Sequence, residues 1–243
     1  FALRAHIPTL RKLERTFGDR SGKSLTIQVV AVCSRSAAGV DKAVRLLGHD
    51  VNRYRELNEV LADPQVQVVD LVLPIPVMAE AIENCLAAGK HVISEKPAAP
   101  NPVAAAKLWS AYARRALEGL ADKLHLPVWC VAENWARKPG VLRVAELLSQ
   151  GTIGIPRTYS ARLLETIPAC MPEKLCWRFQ AAVKYCGGWA LDVGVHIIRA
   201  LRRLFGEIVG VEHCCKNTTD GSVDLNDEWR LSHESAGSCV RMP

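Results

Sequence analysis

No stretch of this sequence stays apolar for the ~18 residues that a membrane-spanning helix needs, and no secretory leader is visible at its start. No two of its nine cysteines have the C-x-x-C spacing of a metal knuckle or a redox pair. Cys33, Cys85, Cys130, Cys170, Cys176, Cys186, Cys214, Cys215 and Cys239 are odd in number. Cys33 and Cys130 fall in runs that read as buried strands, where free thiols pack as small apolar groups. This argues against a disulfide framework and for a reducing, cytoplasmic compartment. His213 with Cys214 and Cys215 makes a poor zinc site, because adjacent cysteines chelate one ion badly; no metal is expected. Repeats and low-complexity tracts are missing, as are blocks of like charge. Lys and Arg number 31, Asp and Glu 25, and the formal charge is +6. The two signs are interspersed, so no nucleic-acid footprint emerges, and the mild basicity suits an anionic small ligand.

What is present is enough apolar material for a full core: 49% of 243 residues. Apolar periodicity predicts helices over Ala2–Phe17, Ala37–Leu47, Tyr54–Leu61, Val77–Ala88 and Pro102 to about Asp122. Between them, Leu25–Cys33, Val66–Leu73, His91–Ser94 and Val128–Ala132 read as strands, near-continuously apolar as in a sheet covered on both faces. Strand and helix alternate, which predicts α/β architecture with a parallel sheet and right-handed crossovers. From about residue 137 the rhythm changes. A helix to Gln150, a strand over Thr158–Leu164, a helix over Gly187–Phe205 and a strand over Ile208–Cys215 predict a second, α+β domain, followed by a polar tail.

Two constellations carry possible chemistry. In Ala88-Gly89-Lys90-His91-Val92-Ile93-Ser94-Glu95-Lys96-Pro97 a helix ends at glycine, a strand follows, and Glu95 and Lys96 stand at its carboxyl end, where doubly wound sheets bind ligands. The pair also reads as an ordinary surface ion pair, worth ~0–1 kcal/mol. In Gly187-Gly188-Trp189-Ala190-Leu191-Asp192-Val193-Gly194-Val195-His196, Asp192 and His196 stand one helical turn apart, where a carboxylate can orient an imidazole. The alternative is that Asp192 caps the helix and His196 packs in the core.

Together these motifs resemble the glucose–fructose oxidoreductase / inositol dehydrogenase family, the Gfo/Idh/MocA family. Its Glu-Lys-Pro signature stands at Glu95-Lys96-Pro97. Its G-G-x-x-x-D-x-G-x-H motif stands at Gly187, Gly188, Asp192, Gly194 and His196, and the turn opening its second domain at Gly151-Thr152-Ile153-Gly154. The resemblance implies a Rossmann-like NAD(P)-binding domain over residues 1–136 and a substrate and oligomerisation domain of α+β open-sheet type over 137–243, both incomplete. The glycine-rich phosphate loop is expected before Phe1, with Ala2 as its last position, and further strands are expected after Pro243. The resemblance makes Lys96, Asp192 and His196 catalytic. It places Ala2, Ser34, Arg35, Ser36, Pro74, Ile75, Glu95, Lys96 and Asn134 against the dinucleotide.

An acid usually stands at the end of the second Rossmann strand in NAD enzymes, whereas arginine accommodates a 2′-phosphate. Here Ser34-Arg35-Ser36 contains no acid, which predicts NADP over NAD; the alternative is that Arg35 only covers adenine. The implied activity is hydride transfer to or from a sugar, polyol or similar hydroxyl or carbonyl compound. The alternatives are a non-catalytic dinucleotide-binding regulator of the same fold and an inactive fragment. The partners implied are a small-molecule substrate and a second copy of the chain, with no nucleic acid and no membrane. The sequence departs from the family where Ala136, followed by Arg137, replaces an arginine, where Arg199 replaces an acid, and where Met78 replaces a histidine.

Overall fold

Apolar runs bounded by glycine, proline and serine alternate with amphipathic stretches through the first half of the chain, and the backbone follows that punctuation. The computed structural model describes residues 2–13, 17–18, 24–25, 27–121, 126–156, 188–214, 228–233 and 239–242. Two units are present, Phe1–Ala132 and Glu133–Pro243.

The first unit begins with α1 (His6–Leu13), β1 (Phe17–Gly18) and β2 (Ser24–Leu25). There follow β3 (Ala31–Cys33), α2 (Ala37–Leu47), β4 (Asn52–Tyr54), α3 (Leu57–Ala62), β5 (Val68–Leu71), α4 (Ile75–Ala87), β6 (His91–Ser94), α5 (Pro102–Ala121) and β7 (Trp129–Val131). β3 and β4 pair in parallel, Val32 opposite Arg53. β5, β6 and β7 form a second parallel sheet in that order, with Leu71 opposite Ser94 and Ser94 opposite Val131. Every parallel pair is joined through a helix, as parallel pairing requires.

Local chemistry sets the helix ends. Ser36 caps α2, its Oγ accepting from the Gly39 amide at 3.3 Å. Gly48 closes the helix at φ 78°. Pro74 and Pro76 do not hold α4 back to Val77 as the sequence suggests. Proline is tolerated in a helix's first turn, so α4 starts at Ile75. Met78, Ile82, Cys85 and Leu86 recur on its inner face and pack with Val69, Leu71, Val92 and Leu108.

Several expectations are corrected. Phe17 leaves the first helix and pairs with Leu25 in an antiparallel bridge, so Leu25 does not continue into the Ala31–Cys33 strand. Tyr54 belongs to a strand, where its carbonyl accepts from the Ser34 amide at 3.1 Å. Sheet β5–β7 is not buried on both faces. Consecutive right-handed crossovers put α4 and α5 on one side, and on the other Val68 and Ile93 stay exposed. For the same reason Cys130 is an exposed thiol, and Cys33, at the end of its strand, is another.

The second unit opens with a 3₁₀ turn (Trp135–Arg137) and α6 (Pro139–Ser149), and continues with α7 (Gly188–Phe205), β8 (Ile208–Cys214), β9 (Glu228–His233) and β10 (Cys239–Met242). Its core is Leu201 and Phe205 against Leu148, Ile197, Ile198, Leu204 and Ile208. Gly151 and Gly154, at φ 68° and 72°, turn the chain after α6. The strand expected over 158–164 and Gly187 lie outside the described residues. The tail read as polar contains β9 and β10, which complete an antiparallel sheet in the order β10-β9-β8. Trp229 and Leu231 alternate with charged residues there, a period of two that the low overall hydrophobicity conceals.

Candidate active site

The carboxyl end of β6 is held from two sides. The Glu95 amide donates to the Leu71 carbonyl at 2.9 Å and the Ala132 amide to the Ser94 carbonyl at 2.8 Å. Ser94, fully buried, accepts at Oγ from Trp129 Nε1 at 3.0 Å. Lys96, half-buried, donates its amide to Oε2 of Glu95 at 3.1 Å and precedes a cis peptide to Pro97.

His6, at the start of α1, bridges two carboxylates beside this strand end. Its Nδ1 lies 2.8 Å from Asp70 Oδ2 and its Nε2 2.9 Å from Glu95 Oε1. Ionised carboxylates only accept, so both ring nitrogens donate and the ring is an imidazolium. The hydrogen bonds to Asp70 and then to Glu95 raise the His6 pKa to about 9, against the opposing effect of burial. For Glu95, burial pushes the carboxyl up, but the bonds from His6 and from the Lys96 amide outweigh it and hold the group below its usual range. The Oδ1 atom of Asp70 is buried with no hydrogen-bond partner.

The expected cofactor-contacting residues of the first unit lie at chain turns and strand ends. Ala2 sits in the turn before α1, its carbonyl accepting from the Ile7 amide at 3.0 Å. Ser34, Arg35 and Ser36 follow β3; Arg35 is exposed, and Ser34 Oγ accepts from the Ser36 amide at 3.3 Å. This cluster presents hydroxyls and a guanidinium and no carboxylate, a donor set that fits a phosphate better than a bare ribose. Pro74 is the N-cap of α4, but the Ile75 side chain is buried in the core and leaves only backbone for a ligand. A cavity of about 700 Å³, lined by Val66, Lys90, His91 and Val128 among others, lies at the amino ends of β5 and β6, away from Lys96. The chemistry-bearing groups stand at the other end of the sheet.

In the second unit α7 carries Asp192 and His196 one turn apart, as the sequence indicates. Asp192 is buried. The carboxylate on Nδ1 of His196, however, is Glu133, at 2.6 Å. Glu133 stands just before the 3₁₀ turn and caps it, accepting from the Trp135 amide at 2.9 Å and from the Ala136 amide at 3.4 Å. The Trp135 indole stacks on the His196 ring at 5.3 Å and 14°, and Lys138 Nζ covers the indole at 3.8 Å from its centroid. Asn134 is exposed and caps the turn through its backbone. Of the departures noted, Ala136 is buried, Arg137 and Arg199 are exposed, and Met78 is a core residue.

The residues that sequence reasoning missed are His6, Asp70, Glu133 and Trp135. Their partners are 63 to 89 positions away, except for the short span around the 3₁₀ turn. Only a histidine in a helix's first turn and an acid at a strand end hinted at them. Among the described residues no cluster of three or more His, Cys, Asp or Glu could hold a metal, and no helix is long and apolar enough to cross a membrane.

Comparison with known proteins decides the lineage. Residues 2–120 match the profile described as oxidoreductase family, NAD-binding Rossmann fold, and residues 141–240 match the GFO/IDH/MocA C-terminal domain. The chain belongs to the Gfo/Idh/MocA oxidoreductase family. It is 29% identical to a levoglucosan dehydrogenase of Pseudarthrobacter phenanthrenivorans over 172 residues, 70% of this chain and 40% of that protein. It is 33% identical to a dTDP-3,4-didehydro-2,6-dideoxy-alpha-D-glucose 3-reductase of Actinomadura kijaniata over 190 residues, 75% of this chain and 51% of that protein. A solved levoglucosan dehydrogenase in complex with NADH and levoglucosan shares the fold at a TM-score of 0.76 and 24% identity, covering 100% of this chain and 63% of that one. The chain spans about half the length of the curated relatives it matches. Its family fold is Rossmann-like α/β.

Proposed function

We propose that this chain is the dinucleotide-binding and acid–base part of an NAD(P)-dependent oxidoreductase that moves hydride to or from a sugar, polyol or similar hydroxyl or carbonyl compound. The observation that carries this is the strand end at Glu95-Lys96. A Gfo/Idh/MocA signature lysine follows a carboxylate that His6 locks in place, a stiffer arrangement than a solvated ion pair provides. The relatives whose names specify a dehydrogenase of levoglucosan and a reductase of a nucleotide sugar act on the same class of compound, and a solved neighbour holds NADH.

In this reading the bound nicotinamide supplies or accepts the hydride, and the protein supplies everything else. Lys96 donates a hydrogen bond to the reacting oxygen. His196 exchanges the hydroxyl proton at Nε2, and Asp192, buried one turn before it, completes the catalytic set. General acid–base assistance of this kind contributes roughly 10²–10⁴ in rate. Ser34, Arg35 and Ser36 hold the 2′-phosphate of NADP, with Ala2, Pro74, the Ile75 backbone, Glu95, Lys96 and Asn134 completing the cofactor contacts. The protein is taken to be a cytoplasmic homo-oligomer. The free thiols Cys33, Cys85 and Cys130 support a reducing compartment.

The test is NADPH oxidation with a panel of sugar and polyol carbonyl compounds, using the longest natural protein that contains this chain. Turnover that falls at least 10²-fold in Lys96→Ala and in His196→Ala supports the reading. Tight NADPH binding with no turnover on any carbonyl would replace it with a regulatory role.

A further inference from the structure

We propose that Glu133 is the positioning residue that sets His196 up as the proton acceptor, and that Trp135 and Lys138 fix the plane of its ring. The inference rests on the acid–base role of His196 given above and names the groups that make that role possible.

Two contacts act on the imidazole itself, and a third acts on the indole stacked against it. The first is the hydrogen bond at 2.6 Å from Nδ1 to Glu133 Oε1. Glu133's side chain is 8% exposed and already accepts from the Trp135 amide. An ionised carboxylate cannot donate, so Nδ1 must carry the proton. In the neutral ring this leaves the lone pair on Nε2, because the partner of one ring nitrogen determines the state of the other. Among the described residues no hydrogen bond is made at Nε2, which is therefore the nitrogen that takes and returns a substrate proton.

The second constraint is the stack. A ring plane within 14° of Trp135, at 5.3 Å between centroids, blocks rotation about the bond to the imidazole. The third is Lys138, whose Nζ lies over the same indole at 3.8 Å from its centroid. Trp135 is thus engaged by an imidazole and by an ammonium. The indole is a support for the catalytic ring.

The test separates this role from a structural one by reading the tautomer directly. ¹⁵N-histidine labelling of the chain in alkaline solution reports which nitrogen of His196 carries the proton. Expected are a pyrrole-type Nδ1 and a pyridine-type Nε2 in the native protein. Glu133→Gln keeps the acceptor oxygen and is expected to keep that tautomer. Glu133→Leu removes the acceptor and is expected to shift the proton toward Nε2. In the active protein, Glu133→Leu is expected to lower kcat by about 10- to 100-fold with little change in KM, and Glu133→Gln by less. A native tautomer unchanged in Glu133→Leu, or a kcat unchanged in that variant while His196→Ala is inactive, overturns the proposal. The tautomer is read without any turnover. Absence of dehydrogenase activity together with a Glu133-dependent tautomer would therefore sink the proposed function and leave the positioning by Glu133 intact. Thermal melts of both variants confirm folding.

Discussion

Nε2 of His6 lies 2.9 Å from Oε1 of Glu95, tying the first turn of α1 to the residue that precedes Lys96. With Asp70 on the other nitrogen, the bridge carries one positive charge between two negative ones. Its pH dependence follows from linkage. The His6 pKa rises from its ordinary 6.5 to about 9 on folding, so its contribution to stability is complete below about 6.5 and is lost as pH climbs through 9. Glu95 is held below its ordinary 4.5, so its contribution is present above 4.5 and is lost as pH falls through the depressed value. Denaturant unfolding of native and His6→Gln proteins is expected to differ most between pH 4.5 and 6.5, and progressively less toward pH 9. A difference that grows between pH 7 and 9 would contradict the charged bridge.

Packing gives a second expectation, one for each unit. Ile82 and Leu201 are fully buried, whereas Val103 is 80% exposed. Ile82→Ala and Leu201→Ala are each expected to lose about 2–5 kcal/mol in chemical denaturation. Val103→Ala, on the outer face of α5, should stay within about 0.5 kcal/mol.

Gly89 separates backbone strain from crowding. Its φ is 76°, yet a Cβ there would meet nothing within 4 Å. Gly89→Ala is expected to cost about 1 kcal/mol from conformation alone. At Gly48, with φ 78°, a Cβ would also meet Nη2 of Arg11 at 3.3 Å, the far end of a flexible side chain. Gly48→Ala should therefore cost little more than Gly89→Ala. Unfolding curves of the two variants, compared side by side, check this.

The proposed preference for NADP rests on Arg35. If its guanidinium meets a 2′-phosphate, Arg35→Ala should weaken NADPH binding by about 10- to 100-fold, the equivalent of one or two charge-assisted hydrogen bonds. NADH binding should hardly change. Fluorescence titration of both nucleotides measures the ratio, and an equal loss for both would assign Arg35 to adenine instead.

Sequence patterns revealed what is local. The Ala37–Leu47 helix, with its serine cap and glycine stop, and the His91–Ser94 strand are observed with the same boundaries. Each is specified by residues a few positions away. Asp192 and His196 share a helix for the same reason. What stayed hidden depends on distant chain segments. His6 finds Asp70 and Glu95 across 64 and 89 positions, and no periodicity encodes such a meeting. The position beside His196 Nδ1 looked suited to Asp192, one turn away, but it is filled by Glu133 from a turn 63 positions earlier. The exposed faces of Val68, Ile93 and Cys130 follow from which side the crossover helices take. The apolar run itself cannot report that.

The most direct measurement is the steady-state rate of NADPH oxidation with a reducible sugar or polyol carbonyl, compared among native, Lys96→Ala and His196→Ala proteins. The expected result is native turnover that drops at least 10²-fold in both variants while NADPH still binds His196→Ala with native affinity. Turnover that survives undiminished in both variants would contradict the assignment of Lys96 and His196 as the groups that handle the substrate's proton and oxygen.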